Sequence, residues 1–266
     1  MSVSAATSPA VVKVTAAQLS SGSRSRIEND RHMRVVGPGA PRVTDFVAYE
    51  SRDKHWMVDV SAYDQTELAL NSWPVDELMF LLEGELEIQD LAGNSRVYKS
   101  GDIFLMPQGF SGAWREHTSI KKIAISHVPS SNGSGKSSDG LQKGILSVSV
   151  DVLDSKTLAP MTAGEPYLSI DHARRFVESP IYRSQDGRFQ VQVKRFEAMT
   201  IALKNWPIDE FMHIQRGHVK LTTPDGNKTV HGPGSSFVLP RGFSGHWEQD
   251  DTLDMITAEY GIWPEQ

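Results

Sequence analysis

Cysteine is absent from the 266-residue chain, and this absence removes several kinds of chemistry. A chain without thiols forms no disulfide bonds, has no thiolate nucleophile and holds no metal through sulfur, which is typical of a reducing compartment such as the cytoplasm. Long hydrophobic runs are missing as well, because no stretch approaches the roughly 18 apolar residues that cross a bilayer. We therefore expect a cytoplasmic protein that does not enter a membrane.

Positive charge is also scarce. The 27 Lys and Arg residues are outnumbered by 33 Asp and Glu residues, which gives a formal net charge of -6. Proteins that bind nucleic acid usually carry a basic patch or stripe. The sequence therefore predicts no nucleic-acid partner, and its hydrophobic content of 39% is that of an ordinary globular protein.

An internal repeat is the most informative feature that is present. From Trp73 to Trp114, 17 of the 42 residues are identical to those 133 positions later, with no insertion or deletion. Such self-similarity is typical of a duplication. Both copies contain short strand-like segments separated by turn signals, among them Gly93-Asn94 and Gly226-Asn227, and this pattern favours β-sandwiches and barrels.

The repeat predicts an all-β protein with two similar antiparallel barrels. A Gly/Ser-rich tract between the copies has the composition of a flexible linker. We place a loose tail at residues 1–9, an N-terminal barrel at 10–129, the linker at 130–143 and a C-terminal barrel at 144–266. Helix is scarce, and Ile170 to Glu178 is the best candidate for a short one.

Two motifs in each copy resemble those of the cupin superfamily. Their order is Glu-x6-Gly, about sixteen residues, and then Gly-x5-Pro-x-Gly-x2, running from Glu77 to Gly112 and again from Glu210 to Gly245. The flanking Trp-Pro-x-Asp-Glu and Gly-Phe-Ser-Gly-x-Trp sequences are especially similar to the cupin_3 group, which includes relatives of ureidoglycine aminohydrolase and ethanolamine-utilisation proteins. The resemblance implies two tandem cupin barrels of the jelly-roll, or double-stranded β-helix, type. It also implies, by analogy, a homodimer.

Catalytic cupins generally hold a divalent metal with a His-x-His pair, the motif Glu and a third His. In this chain those histidine positions hold Leu70, Ser72 and Gly112 in the first copy and Leu203, Asn205 and Gly245 in the second. One carboxylate per barrel is too few, because a stable transition-metal site needs three or more N, O or S ligands. We therefore predict no cofactor, and bound Mn, Fe, Ni or Zn is the alternative.

Histidines close to the motifs do not replace the missing ligands. Side chains alternate between the faces of a strand, so if Glu210 points into the barrel, Met212 does too and His213 points out. His246 follows the inward position of Gly245 and points out for the same reason. We interpret both histidines as surface or interface residues.

The motif carboxylates Glu77 and Glu210 are candidates for acid-base chemistry. Burial disfavours the charged form and moves the pKa of a carboxyl group toward neutrality, where it can exchange a proton with a substrate. The alternative is structural, with each Glu only accepting hydrogen bonds from turn amides or a Trp indole.

The second copy is the more polar one, and we predict that it is the active barrel. Glu210 would move the proton and Asn205 would orient the substrate, while Arg195 or Lys204 would pair with a substrate carboxylate. Simple solvent exposure is the alternative for both cations. The other substrate-binding candidates are aromatic: Trp73, Trp114, Trp206, Trp247 and Tyr260.

The sequence therefore favours a protein that binds a small polar metabolite inside a barrel, as a candidate metal-independent isomerase, lyase or hydrolase. Two alternatives stay open. One is a catalytically silent bicupin that serves as an oligomeric structural or binding scaffold. The other is a metal-dependent enzyme similar to ureidoglycine aminohydrolase.

Overall fold

The computed structural model of the protein describes residues 8–130, 144–161, 166–170 and 175–263. Strands dominate these residues and form four sheets, two of seven strands and two of five, through antiparallel pairing. Helix is limited there to two short 3-10 segments, Ala16–Ser21 and Val150–Leu153, and neither is long enough to span a membrane. The predicted all-β class is confirmed.

The first of two compact units, the N-terminal barrel, comprises the described parts of residues 14–148 and 184–187. Its seven-stranded sheet consists, in spatial order, of Leu146–Ser147, Ile103–Met106, Asp76–Glu83, Ile120–His127, Trp56–Tyr63, Arg42–Glu50 and Ser23–Arg26. Its five-stranded sheet consists of Met33–Val35, Glu67–Leu70, Gly112–Glu116, Glu85–Asp90 and Ser95–Lys99. Apolar side chains from both sheets form one buried cluster, as in a jelly roll.

The second unit, the C-terminal barrel, comprises the described parts of residues 8–13, 149–183 and 188–263. Its seven-stranded sheet consists of Val12–Val14, Ser236–Leu239, Asp209–Arg216, Leu253–Tyr260, Phe189–Phe196, Arg175–Arg183 and Ala159–Pro160. Its five-stranded sheet consists of Leu168–Ile170, Met199–Leu203, Gly245–Gln249, Val219–Thr222 and Lys228–His231. This barrel has its own buried apolar cluster.

The sequence repeat corresponds to a structural repeat. Strand Asp76–Glu83 and strand Asp209–Arg216 have bounds that differ by 133 residues, and the same shift relates Trp56–Tyr63 to Phe189–Phe196. The turn glycines predicted between strands, Gly93 and Gly226, have φ values of 89° and 86°, which favour glycine. The two barrels can therefore be compared position by position.

The predicted helix from Ile170 to Glu178 is wrong where the structure describes it. Leu168–Ile170 and Arg175–Arg183 are strands, and residues 171–174 lie outside the described residues. Arg175–Arg183 pairs along its length with Phe189–Phe196, and this sheet pairing outweighs a weak local preference for helix.

The unit boundaries differ from the predicted ones. Residues 8–13 group with the C-terminal barrel, and residues 144–148 group with the N-terminal barrel. Ser8, predicted to lie in the loose tail, donates a hydrogen bond to the carbonyl oxygen of Ser244 at 3.1 Å. The predicted linker lies outside the described residues except for Ser130. Edge strands of two or three residues carry too little pattern to be assigned to a sheet from sequence, because their partner determines them.

Candidate functional site

A cavity of about 410 Å³ lies inside the C-terminal barrel. The five-stranded sheet contributes apolar side chains to its lining, such as Ile201 and Trp247, whereas the charged and amide side chains come from the seven-stranded sheet. We call these residues the polar wall: Glu178, Gln190, Gln192, Lys194, Glu210 and Glu259. The cavity therefore has an apolar side and a polar side.

Strand alternation explains why these side chains share one wall. In strand Phe189–Phe196, Gln190, Gln192 and Lys194 line the cavity, and the intervening residues do not. In strand Asp209–Arg216, Glu210 and Met212 line it. This inward face is the one that the parity argument predicts for Glu210 and Met212.

The two histidines near the motifs do not line the cavity. His246 is exposed, and His213 is partly buried with its Nδ1 2.8 Å from Ser236 Oγ. Burial lowers the pKa of His213 to about 4, so its ring is neutral at physiological pH.

Lys194 joins two buried carboxylates on the polar wall. Its Nζ lies 3.1 Å from Glu210 Oε1 and forms a short hydrogen bond with Glu259 Oε1. Glu210 is 1% exposed, Glu259 2% and Lys194 8%. Burial acts to lower the pKa of Lys194, but the charges of Glu210 and Glu259 outweigh it and raise that pKa. Lys194 is therefore an ammonium group at neutral pH.

The two carboxylates titrate differently although they share this lysine. Burial raises the pKa of Glu210 to about 7 against the opposing charge of Lys194. Burial acts on Glu259 in the same direction, but Lys194 and hydrogen bonds from Gln190 and Trp263 outweigh it and lower the pKa of Glu259. Glu259 is thus the counter-ion of Lys194, and Glu210 can hold or release a proton near neutral pH.

Glu210 also belongs to a donor-acceptor pair that is left open. Its Oε2 atom and the Nε1–H of Trp206 are both buried, and neither has a hydrogen-bond partner among the described residues. The indole acts to lower the pKa of Glu210, yet the two atoms do not reach hydrogen-bond geometry. Unpaired buried polar groups are costly, and in native structures such exceptions are often satisfied by a ligand or water.

The equivalent pair in the N-terminal barrel is closed. Trp73 Nε1 donates to Glu77 Oε2 at 3.0 Å, and Lys122 Nζ lies 2.6 Å from Glu77 Oε1. Trp114 packs in the core of this barrel and donates its Nε1–H to Glu116 Oε1 at 2.9 Å. Glu77 therefore has the structural arrangement that the sequence left open as the alternative, a carboxylate bonded to an indole.

Three residues predicted for the site in the second copy, Glu210, Trp206 and Trp247, come together around the cavity. Arg195 does not line it, because it lies on the opposite face of its strand from Lys194. It forms salt bridges with Asp254 at 2.6 Å and Asp154 at 3.0 Å. Arg195 is thus a partner of these carboxylates, and the predicted pairing with a substrate carboxylate in this cavity is not supported.

The remaining predicted residues also lie off the cavity. Lys204 and Asn205 are exposed, and Asn205 has a φ of 50° with its backbone N–H donating to Ser244 Oγ at 2.9 Å. Tyr260 is buried next to Glu259 on the other face of the strand, where the guanidinium of Arg188 lies 4.9 Å from its ring centre. Asn205 therefore shapes a turn, and Tyr260 packs outside the cavity lining.

Sequence reasoning missed Lys194 and Glu259. A signal for Lys194 was present, because polar residues at positions 190, 192 and 194 alternate with valines and so predict one polar face. Glu259 gave a weaker signal, since it lies between small and aromatic residues of a fully buried strand. Its role depends on the neighbouring strand that brings Lys194 to it.

The residues here do not fit the divalent metal that the cupin resemblance implies. The ammonium of Lys194 already bonds the Glu210 carboxylate that a metal would need, and Leu203 and Gly245 offer no side-chain ligand atom. Within the described ranges, no group of three or more His, Cys, Asp or Glu side chains is placed to hold a metal. We therefore assign no step to a metal.

Comparison with known families and solved structures agrees with this architecture. Residues 70–124 and 203–254 each match the EutQ-like cupin domain, Cupin_3. A search of curated proteins finds no match.

Similar solved structures share the fold at low sequence identity. A protein of unknown function from Pseudomonas syringae pv. tomato DC3000 is 14% identical with a TM-score of 0.65, over 80% of this chain and 85% of that one. A cupin 2 conserved barrel domain protein from Leptotrichia buccalis is 13% identical with a TM-score of 0.55, over 82% and 88%. A gentisate complex of a salicylate 1,2-dioxygenase variant from Pseudoaminobacter salicylatoxidans is 11% identical with a TM-score of 0.50, over 77% and 69%.

Proposed function

Because each half of the chain carries a cupin domain, the protein is a bicupin of the cupin superfamily, and we propose that its C-terminal barrel binds a small organic molecule and exchanges a proton with it through Glu210. The proposal concerns the cavity between the polar wall and the apolar five-stranded sheet. A cavity of this size with a few convergent polar groups is typical of a ligand site.

The observation that carries the proposal is the open pair of Trp206 and Glu210. The same two residue types form a hydrogen bond in the N-terminal barrel, as Trp73 and Glu77. In the C-terminal barrel neither atom has a hydrogen-bond partner within the part of the chain that the structure describes. A ligand group that bonds to both would remove the desolvation penalty that each unpaired atom imposes.

The site supports acid-base chemistry that needs no redox partner. With a pKa of about 7, Glu210 can take a proton from a carbon or oxygen atom of the substrate and return it to another atom or to a leaving group. An isomerase, a lyase or a hydrolase could each use this step. Lys194 is a positioning residue, because its bond to Oε1 leaves Oε2 for the substrate. As an ammonium group it is not a nucleophile.

The alternatives make different demands on the two barrels. A silent scaffold needs only closed, structural pairs, and this arrangement is present at Glu77 but not at Glu210. An aminohydrolase of the ureidoglycine type needs a metal. Elemental analysis of untagged protein tests that alternative, because near-stoichiometric Mn, Fe, Ni or Zn would contradict the ligand argument.

The test is a ligand screen with matched variants. A mixed metabolite library, observed by ligand NMR, is screened against the wild-type protein, Glu210→Gln and Glu77→Gln. We expect compounds whose signals respond to wild type to lose at least about tenfold in affinity with Glu210→Gln, which is about 1.4 kcal/mol, and to keep their affinity with Glu77→Gln. Equal tolerance of both substitutions would overturn the proposal in favour of the scaffold.

A further inference from the structure

We infer that the C-terminal cavity selects an uncharged ligand in which an apolar, ring-containing body carries a hydroxyl group. The hydroxyl would bind between Trp206 and Glu210, and the ring would lie against the aromatic side chains. This inference rests on the proposed function and names the chemical class of its ligand.

The charges around the cavity oppose an anionic ligand. Among the described residues, the charged side chains of the lining are three carboxylates, Glu178, Glu210 and Glu259, and one cation, Lys194. The ammonium of Lys194 is already shared between Glu210 and Glu259. A ligand carboxylate or phosphate would meet the buried carboxylates Glu210 and Glu259, with no further cation in the described part of the lining. Like charges at short range in a buried site repel strongly.

The open pair also opposes a cationic ligand and favours a hydroxyl group. An ammonium group could donate to Glu210 Oε2, but it has no lone pair for the Nε1–H of Trp206. It would also lie close to Lys194, whose Nζ is 3.1 Å from the other oxygen of Glu210. A hydroxyl group both donates and accepts, so it can bond to Glu210 Oε2 and to Trp206 Nε1 together.

Aromatic side chains define the place for the ligand body. The ring of Trp206 lies edge-on to Trp263, with ring centres 5.4 Å apart, and edge-on to Tyr167 at 5.6 Å. These three residues line the cavity together with Trp247. Rigid aromatic surfaces of this kind favour stacking with a planar apolar group.

The test compares four compounds that share one body: cinnamyl alcohol, cinnamate, cinnamylamine and β-methylstyrene. Their dissociation constants are measured by ligand-observed NMR with full-length wild type at about pH 8, where the Glu210 carboxyl is largely ionised and cinnamylamine is largely protonated. We expect cinnamyl alcohol to bind at least about tenfold tighter than each of the other three.

Two variants locate the contact, and two matched variants control for it. Trp206→Phe and Glu210→Gln should each weaken cinnamyl alcohol at least about fivefold, because each removes one side of the hydroxyl contact. Glu210→Gln should leave β-methylstyrene within about twofold. Trp206→Phe also removes ring area from the aromatic lining, so it should weaken cinnamyl alcohol more than β-methylstyrene. Trp73→Phe and Glu77→Gln change the same residue types in the other barrel and should leave all four constants unchanged.

The outcomes separate this inference from the proposed function. If cinnamate or cinnamylamine binds tightest, or if all four bind alike, the cavity is a ligand site but the hydroxyl assignment is overturned. If none of the four binds and the metabolite screen also finds no compound, both fail. Loss of cinnamyl alcohol binding in a Glu210 or Trp206 variant counts only where a urea unfolding curve shows that the variant is folded.

Discussion

The two barrels have equivalent central strands 133 residues apart but compensate their buried charges differently. In the N-terminal barrel, Lys122 comes from strand Ile120–His127, and the equivalent residue 133 positions later is Met255. In the C-terminal barrel, Lys194 comes from strand Phe189–Phe196, and its equivalent is Ser61. The motif Glu is thus paired with a lysine in both barrels, but from strands that are not equivalent.

This difference shows how one scaffold supports two interiors. Glu77 has both oxygens bonded, one to Lys122 and one to Trp73. Glu210 has one oxygen bonded to Lys194 and one without a partner among the described residues, and a second carboxylate, Glu259, shares its lysine. A buried carboxylate needs a cation or donors nearby, but the fold does not specify which strand supplies them. The interior can therefore change while the sheets remain the same.

The largest expected effect comes from removing each lysine. Lys194→Met leaves Glu210 and Glu259 buried without a cation, and breaking a buried pair in this way costs about 3–5 kcal/mol. Lys122→Met should cost less, because Glu77 keeps the Trp73 hydrogen bond and is the one carboxylate in salt-bridge contact with Lys122 among the described residues. The charges of Asp59 and Asp45, which Lys122 also compensates, act on it without a direct hydrogen bond. Urea unfolding at about pH 8 measures both effects, and equal losses would contradict the difference between the barrels.

A repeat of this measurement at about pH 5 sharpens the comparison. Carboxylates left without a cation have raised pKa values and bind protons there, so the loss caused by Lys194→Met should shrink. A pH-independent loss would indicate that packing, rather than charge, accounts for the destabilisation.

A medium effect is expected from matched Trp to Phe substitutions. Trp73→Phe leaves Glu77 Oε2 without its donor, which costs about 1–3 kcal/mol for a buried acceptor in addition to the loss of ring volume. Trp206→Phe loses the same volume but removes an N–H that makes no hydrogen bond with any described residue. We therefore expect Trp73→Phe to lower the free energy of unfolding more than Trp206→Phe, as measured by urea denaturation. The reverse order would mean that the Trp206–Glu210 pair is closed in solution.

The smallest effect is expected at Glu116, whose equivalent in the C-terminal barrel is Gln249. Burial raises the pKa of Glu116 to about 7. Glu116 accepts a hydrogen bond from Trp114 Nε1, and Gln249 accepts the equivalent hydrogen bond from Trp247 Nε1. When the pKa of a carboxyl group is higher in the folded protein than in the unfolded chain, the protein loses stability as the pH rises from the unfolded pKa to the folded pKa. Between about pH 4.5 and 7, Glu116 should therefore destabilise the N-terminal barrel increasingly.

Glu116→Gln should remove this pH-dependent loss of stability. We expect the variant to gain about 1–2 kcal/mol over wild type at about pH 8 and to match it at about pH 4. The mirror substitution, Gln249→Glu, should destabilise the protein at about pH 8 and not at pH 4. Unfolding curves across this pH range measure both, and a gain for Glu116→Gln that is the same at every pH would rule out ionisation as its cause.

Most of the architecture could be read from periodic features of the chain. The 133-residue repeat, the turn glycines Gly93 and Gly226 and the alternation of apolar residues predicted two barrels, and the inward position of Glu210 followed from strand parity. The helix expected at Ile170 to Glu178 was wrong, because the pairing of Arg175–Arg183 with its neighbour is not a local property. The grouping of residues 8–13 and 144–148 was missed for the same reason.

For the candidate site, the sequence was a good guide to residues within one strand or motif and a poor guide to pairs between strands. Local spacing is enough to place Glu210, Trp206 and Trp247 around one interior, because alternation and turn chemistry act over a few residues. Tertiary structure alone decided that Lys194 bonds Glu210 and Glu259, that Arg195 is held by Asp254, and that one Trp–Glu pair is closed and the other open. These contacts join residues that are distant in the chain, and a shift of about one ångström makes or breaks such a hydrogen bond.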